Sequence, residues 1–228
     1  MAIDGLQQRI LRTIDARGDF GVFVSKKPKE KGERGLLRRS LLWHRGSDTK
    51  SLSRIHFPPD RVISTVPSWS WMAYVEKHEI GTGNGQAKPV VYIGGIDYLK
   101  PDFDGIDWED LRSPWADEAN GIPQTAVCGG NIALTAKVRE YLYMPSNQDN
   151  DGLLVFDNPG GSAQRKTSCV VLGIQKGSMA VKEKRHYLLL VTPTAAVDRN
   201  GKKAYERVGA GYLPGSCIEP GGEMVEIH

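Results

Sequence analysis

The sequence predicts a mainly β protein, an antiparallel sandwich or barrel-like sheet with two short N-terminal helices packed on it, α+β in class. Three observations carry this. From Ile63 onward apolar and polar residues alternate with period two over most of the chain. Short apolar runs are separated by turn residues, in a chain that holds 26 Gly and 13 Pro. Finally, Pro67-Ser68-Trp69-Ser70-Trp71-Met72-Ala73-Tyr74 sets two of the five Trp residues two positions apart. On a strand that spacing puts Trp69 and Trp71 on one face. Each buried indole removes ~150–250 Å² from water, a gross gain of about 4–6 kcal/mol. A strand from about Trp69 to Ile80 is therefore expected to organise the sheet.

The elements follow in order. Residues 2–16 read as an amphipathic helix, with Ile3, Leu6, Ile10, Leu11 and Ile14 on one side and Asp4 and Gln7 placed for a capping box. Arg17-Gly18-Asp19 is expected to end it, and Phe20, Val22 and Val24 to alternate as a short strand. Residues 25–35 are a polar loop. Eight basic residues lie between Lys26 and Arg45 against Glu30 and Glu33, which reads as a solvated loop and the outer face of a helix. Leu36, Leu37, Leu41, Leu42 and Trp43 form the apolar side of that second short helix, stopped at Gly46.

Gly81-Thr82-Gly83-Asn84-Gly85 leads into Pro89-Val90-Val91-Tyr92-Ile93, so it reads as a hairpin turn and not a phosphate cradle, which needs a following helix. An aromatic and acidic loop follows from Gly94 to Trp115. Asn131–Met144 alternates, with partial slippage, as a long strand, with a helix as the alternative, and Leu153-Val155-Phe156 reads as a short strand. Asn147–Gly152 resembles the opening of a Ca²⁺ loop, but Asn158 stands where the bidentate Glu is needed, so it reads as a turn. Ser168–Ile174 and His186–Val191 are apolar throughout and are expected to be central strands. Asp198-Arg199-Asn200-Gly201 is a hairpin signal, and Tyr205–Leu213 suggests a strand with a bulge. Residues 214–228 form a Pro/Gly-rich tail with no predicted element.

Two regions result, a helical lead over residues 1–60 and a β-rich domain over 61–228. So short a lead cannot bury its own leucines, so it is expected to pack on the sheet. The composition, 39% hydrophobic and 25% charged, is that of a soluble globular protein, and a net charge of +3 points to no nucleic-acid partner. Cys128, Cys169 and Cys217 are odd in number and far apart, which fits a reducing compartment. With no signal-peptide core and no membrane-length apolar run, a cytoplasmic protein without a membrane partner is expected.

The chemistry-bearing motifs are missing. There is no G-x-S-x-G, H-E-x-x-H, P-loop or Rossmann fingerprint, and His44, His56, His78, His186 and His228 stand at no ligand spacing. No catalytic residue, cofactor or metal is expected. The residues singled out are structural: Trp43, Trp69, Trp71 and Tyr205 as core anchors.

Several stretches together resemble the region downstream of the HET domain in fungal heterokaryon-incompatibility proteins. They are Gly35-Leu36-Leu37-Arg38-Arg39-Ser40-Leu41-Leu42-Trp43, Phe57-Pro58-Pro59-Asp60-Arg61, Pro67-Ser68-Trp69-Ser70-Trp71-Met72-Ala73, Gly94-Gly95-Ile96-Asp97-Tyr98, Asp107-Trp108 and Ser113-Pro114-Trp115. Tyr187-Leu188-Leu189-Leu190-Val191 and Tyr205-Glu206-Arg207-Val208-Gly209-Ala210-Gly211 complete them. The order matches and the resemblance spans nearly the whole chain. Residues 75–93 depart from the pattern, as an extra hairpin or a gene-model artefact. The resemblance implies a regulatory or interaction region with a protein partner, in non-self recognition and programmed cell death. Since Met1 begins almost at the helix that follows the effector domain, that domain is expected to be missing.

Two other readings rest on the residues alone. Trp69, Trp71, Trp108 and Trp115 would serve a carbohydrate-binding module as a stacking platform, and the Asp97–Asp110 acidic loop would serve a hydrolase.

Overall fold

The computed structural model describes residues 16–25, 35–55, 66–76, 90–93, 106–109, 111–113, 132–142, 152–162, 166–197 and 201–228. A hairpin comes first, β1 (Ala16–Asp19) with β2 (Val22–Ser25). Its two-residue tip, Phe20-Gly21, has φ of 55° and 73°. A primed hairpin turn asks for positive φ at both central residues, which Gly supplies freely and Phe only against strain. α1 (Leu36–Leu41) follows and docks on β2, where Phe23 N donates to Ser40 Oγ at 3.3 Å. Two small pairs come next: β3 (Trp43–Arg45) takes β6 (Val90–Tyr92), and β4 (Leu52–Arg54) takes β5 (Tyr74–Glu76). β7 (Ile106–Trp108) leads toward the main sheet.

That sheet is built from β8 (Leu134–Arg139), β9 (Leu153–Phe156), β10 (Ser168–Gln175), β11 (Arg185–Val197), β12 (Lys203–Pro214) and β13 (Glu223–Ile227), with one helical turn, α2 (Pro159–Ser162), after β9. Its strands run β11-β10-β8-β13-β12, and β12 pairs β11 in turn, so the sheet closes on itself like a barrel. All pairings are antiparallel except β12 with β13, which meet in parallel at Tyr205 and Ile227. β7 lies against β10, and β9 against β12. Closure removes the open edges that a flat sheet would present.

Alternation sorts the side chains into two layers. Leu134, Ala136, Val170, Leu172, Leu189, Val191, Val225 and Ile227 share one core with Phe20, Val22, Leu37, Leu41, Leu42 and Trp69. Cys169, Val171, Leu188, Leu190 and Leu213 form a second cluster, covered by Tyr141, Phe156 and Ile218. Because β10 and β11 feed both layers, they read as apolar throughout. The first core also shows that the α1 leucines pack with the sheet. The mainly β, barrel-like fold agrees with the sequence, and the bulge expected in β12 is present: Leu190 faces Gly209 and Val191 faces Arg207, leaving Val208 as the extra residue.

Four expectations are corrected. Residues 16–19 are strand and not a helix end, and the expected helix otherwise lies outside the described residues. Trp43 is not on α1; Leu42 closes the helix, its N–H reaching Arg39 O at 3.1 Å, and Trp43 opens β3. The long strand expected from Trp69 is only β5, three residues from Tyr74. Residues 223–227, expected to be tail, form β13 at the seam of the barrel. The turns expected at 81–85 and 147–151, the basic loop over 26–34 and residues 94–105 of the acidic loop lie outside the described residues. Among the described residues no helix is long and apolar enough to cross a membrane.

Candidate functional site

Pro67-Ser68-Trp69-Ser70 makes a turn, closed by Ser70 N to Pro67 O at 3.0 Å, and Trp71–Ala73 coils into a 3-10 turn. The serines are the cause. Ser70 Oγ accepts from Met72 N at 3.1 Å and donates to Phe20 O at 2.6 Å, which favours a local cap over a ladder. The two indoles therefore diverge and do not share a face. Trp69 is fully buried, edge-on to Phe20 with centroids 6.4 Å apart. Trp71 is half-buried and lies where a side chain on Gly21 would have to go. Together they clamp the tip of the first hairpin.

The centre of the site is Arg207, in β12 beside the bulge, with its side chain 0% exposed. Its Nη2 donates to the Trp43 carbonyl at 2.6 Å and to Asp157 Oδ1 at 3.3 Å. Its Nε donates to the Gly209 carbonyl at 3.3 Å. The guanidinium carbon lies 3.0 Å from the centroid of the Trp43 ring, a cation–π contact shut away from water. Trp43 Nε1 donates in turn to the Trp69 carbonyl at 3.0 Å. Ser68 Oγ accepts from Arg207 N at 2.9 Å and donates to the His228 carbonyl. Tyr74 donates its hydroxyl to Arg207 O at 3.4 Å. Asp157 is held at the end of β9 by its own backbone, its N–H reaching Val208 O at 2.9 Å and its carbonyl accepting from Leu52 N at 2.7 Å.

Four stretches far apart in sequence, around Trp43, Ser68–Tyr74, Asp157 and Arg207, thus meet in one polar contact inside the core. Burial pushes the Asp157 carboxyl up and the Arg207 guanidinium down, while each charge opposes the other's shift. Arg207 Nη1 and Asp157 Oδ2 are buried without hydrogen-bond partners among the described residues. A pair so placed fixes geometry more than it adds net stability. The cation faces a carbonyl, a carboxylate and a ring, and its own side chain has no exposed surface.

His44 stands next to this cluster, half-buried, with Nδ1 donating to the Arg45 carbonyl at 2.7 Å. Burial holds its imidazole below the usual value, and the Arg207 and Arg45 charges push the same way, against that hydrogen bond. The unfolded chain then takes up the proton more readily than the folded one, so stability is lost as pH falls through about 6.5. Denaturant midpoints measured from neutral to mildly acidic pH are expected to fall over that window, and His44→Asn, which keeps a donor for the carbonyl, is expected to flatten the decline.

Of the anchors read from the sequence, Trp43 and Trp69 are fully buried, while Trp71 and Tyr205 are half-buried. Tyr205 pairs Ile227 and borders a shallow groove of about 280 Å³ with Glu140 and Ser168. Arg207 and Asp157 were not singled out. A cation beside the bulge signal of Val208 and the glycines is the available signal for Arg207; Asp157 has none. The stacking platform is not available at Trp69, whose ring is sealed; Trp108 contributes backbone to β7 and Trp115 lies outside the described residues. Of the acidic loop, Asp107 sits in β7 opposite Ile174, while Asp97, Asp102, Asp104 and Asp110 lie outside the described residues. No group of three His, Cys, Asp or Glu able to hold a metal occurs among the described residues. Burial pushes the Cys169 thiol up to about 12, which makes it inert.

On the outer side of the barrel, grooves of about 500 Å³ each adjoin Arg139, which pairs Glu109 at 3.7 Å. No protein-family model, no curated protein and no solved structure matches the chain.

Proposed function

We propose that this chain is a non-catalytic regulatory or interaction region of the heterokaryon-incompatibility type, acting in the cytoplasm through a protein partner. The single observation that supports this is the convergence on Arg207. Trp43, Ser68 and Arg207 each come from a different stretch of the resemblance, and all three close on one buried contact. Motifs that meet as a keystone have a reason to occur together that requires no reaction. Their chemistry is used up inside the fold, which leaves recognition to the surface.

The test is made in fungal cells. The chain expressed alone is expected to leave viability unchanged, and co-expressed with a complete HET-domain protein it is expected to change the onset of the death reaction. A chain that kills alone, or purified protein that turns over members of an ester and glycoside panel, overturns the reading.

A further inference from the structure

One groove of the outer face carries a built polar site. Three stretches line it: β10 with Val171 and Ile174, the turn before β11 with Val181 and Lys182, and residues 215–220 after β12. Glu109 and Arg139 line it too. So does His186, 7% exposed. Its Nδ1 contacts the Lys184 carbonyl at 2.9 Å. A carbonyl can only accept, so Nδ1 carries a hydrogen, and in the neutral ring Nε2 is the nitrogen with the lone pair. Nε2 has no hydrogen-bond partner among the described residues, and His186 is one of the residues that line the groove.

The ring is clamped. Gly215 N shares the same Lys184 carbonyl at 3.1 Å, and a side chain at Gly215 would come within 2.5 Å of the imidazole Cε1 and of the Val181 carbonyl. Ser216 N ties the next residue to the Lys182 carbonyl at 2.8 Å. A histidine this deeply buried, lining a cavity with one nitrogen fixed by the backbone and the other without a hydrogen-bond partner among the described residues, is the arrangement that receives a ligand rather than one that fills a core.

The wall charges select among ligands. Arg139 and Lys182 are cations, Glu109 and Glu219 are anions, and Arg139 is already paired to Glu109. Among the described lining residues these charges sum to zero, the imidazole left aside. One proton on Nε2 gives a single positive charge, which matches a monoanion and leaves a dianion such as a phosphate monoester under-neutralised. Apolar walls at Ile174, Val181, Ile218 and Pro220 suit a hydrocarbon body. A cavity of about 500 Å³ lies within the range typical of small-molecule sites.

We propose that this groove binds a small carboxylate with an apolar body, the carboxylate received by His186 Nε2 and the Lys182 ammonium, and the body laid on Ile174, Val181 and Ile218. Binding draws a proton onto the imidazole, so ligand and proton are taken up together. The site is independent of the Arg207 cluster and of the partner reading above.

4-Phenylbutyrate is the probe, with 4-phenylbutanol as its uncharged counterpart, titrated into the intact chain near neutral pH. Long-range proton–nitrogen spectra are expected to show the His186 ring signals moving saturably with the acid. Calorimetry in two buffers of different ionisation enthalpy is expected to report proton uptake. The acid is expected to bind about tenfold more tightly than the alcohol, and Lys182→Met to remove about tenfold, as loss of a charge-assisted hydrogen bond does. His186→Phe is expected to abolish binding; if that variant does not fold, the ring signals and Lys182→Met on the exposed rim decide. Static His186 signals, equal binding of acid and alcohol, no proton uptake, or an unaffected Lys182→Met would each overturn the proposal.

Discussion

Arg207→Met is expected to destabilise the protein by about 3–5 kcal/mol, the usual cost of removing one partner from a buried ion pair. The loss has a definite source. Asp157 stays buried with only 4% of its side chain exposed, and its Oδ2 already lacks a hydrogen bond among the described residues, so removing Arg207 takes away the cation it is paired with and leaves only the more weakly acting Arg45 charge. The Trp43 carbonyl loses its 2.6 Å donor at the same time. Chemical denaturation of the purified chain measures this. Removing both charges, as Arg207→Met with Asp157→Leu, is expected to recover a good part of the loss, because an apolar pair of similar volume needs no solvation. A loss below ~1 kcal/mol for the single variant would mean that the pair is wet and the keystone account wrong.

Trp43→Ala is the second large effect, expected at about 3–5 kcal/mol. The ring is fully buried, lies 5.3 Å from Tyr74 between centroids, and is covered by the guanidinium. Trp43→Phe is expected to cost clearly less, since it keeps an aromatic face and loses the Nε1 bond to the Trp69 carbonyl. Combining Trp43→Ala with Arg207→Met is expected to cost less than the two separately, because each removes part of the same contact. Strict additivity in denaturation would show that ring and guanidinium act independently.

Much of the barrel was legible. β10 and β11 announce themselves because strands feeding two apolar layers lose their alternation and keep their β-branched and leucine content. The β12 bulge was legible from Val208 between Arg207 and the glycines. Gly209 and Gly211 have their own reason: a side chain at either would strike the backbone of β9. Other parts were hidden for physical causes. The Trp element has strand spacing, yet Ser70 Oγ caps Met72 N two residues on and coils the chain into a 3-10 turn instead. β13 does alternate, but five residues behind Gly221-Gly222 give a weak pattern, and its value comes from β8, far back in the sequence. Asp157 pairs with a residue 50 positions away, which no local pattern can encode. His186 sits in a leucine-rich run and reads as core, and only the backbone bond to Lys184 and the groove it lines distinguish it.

The seam at β13 has a consequence for how the molecule is made. β8 leaves the ribosome some ninety residues before the strand that pairs along its free side, Leu134 meeting Ile227 and Ala136 meeting Val225. Until then that side and the N-terminal half of β12 stand open, in the geometry that recruits stray strands. Nascent chains stalled before Glu223 should therefore stay sensitive to protease and bound by chaperones, and acquire protection in one late step as the final strand slots in.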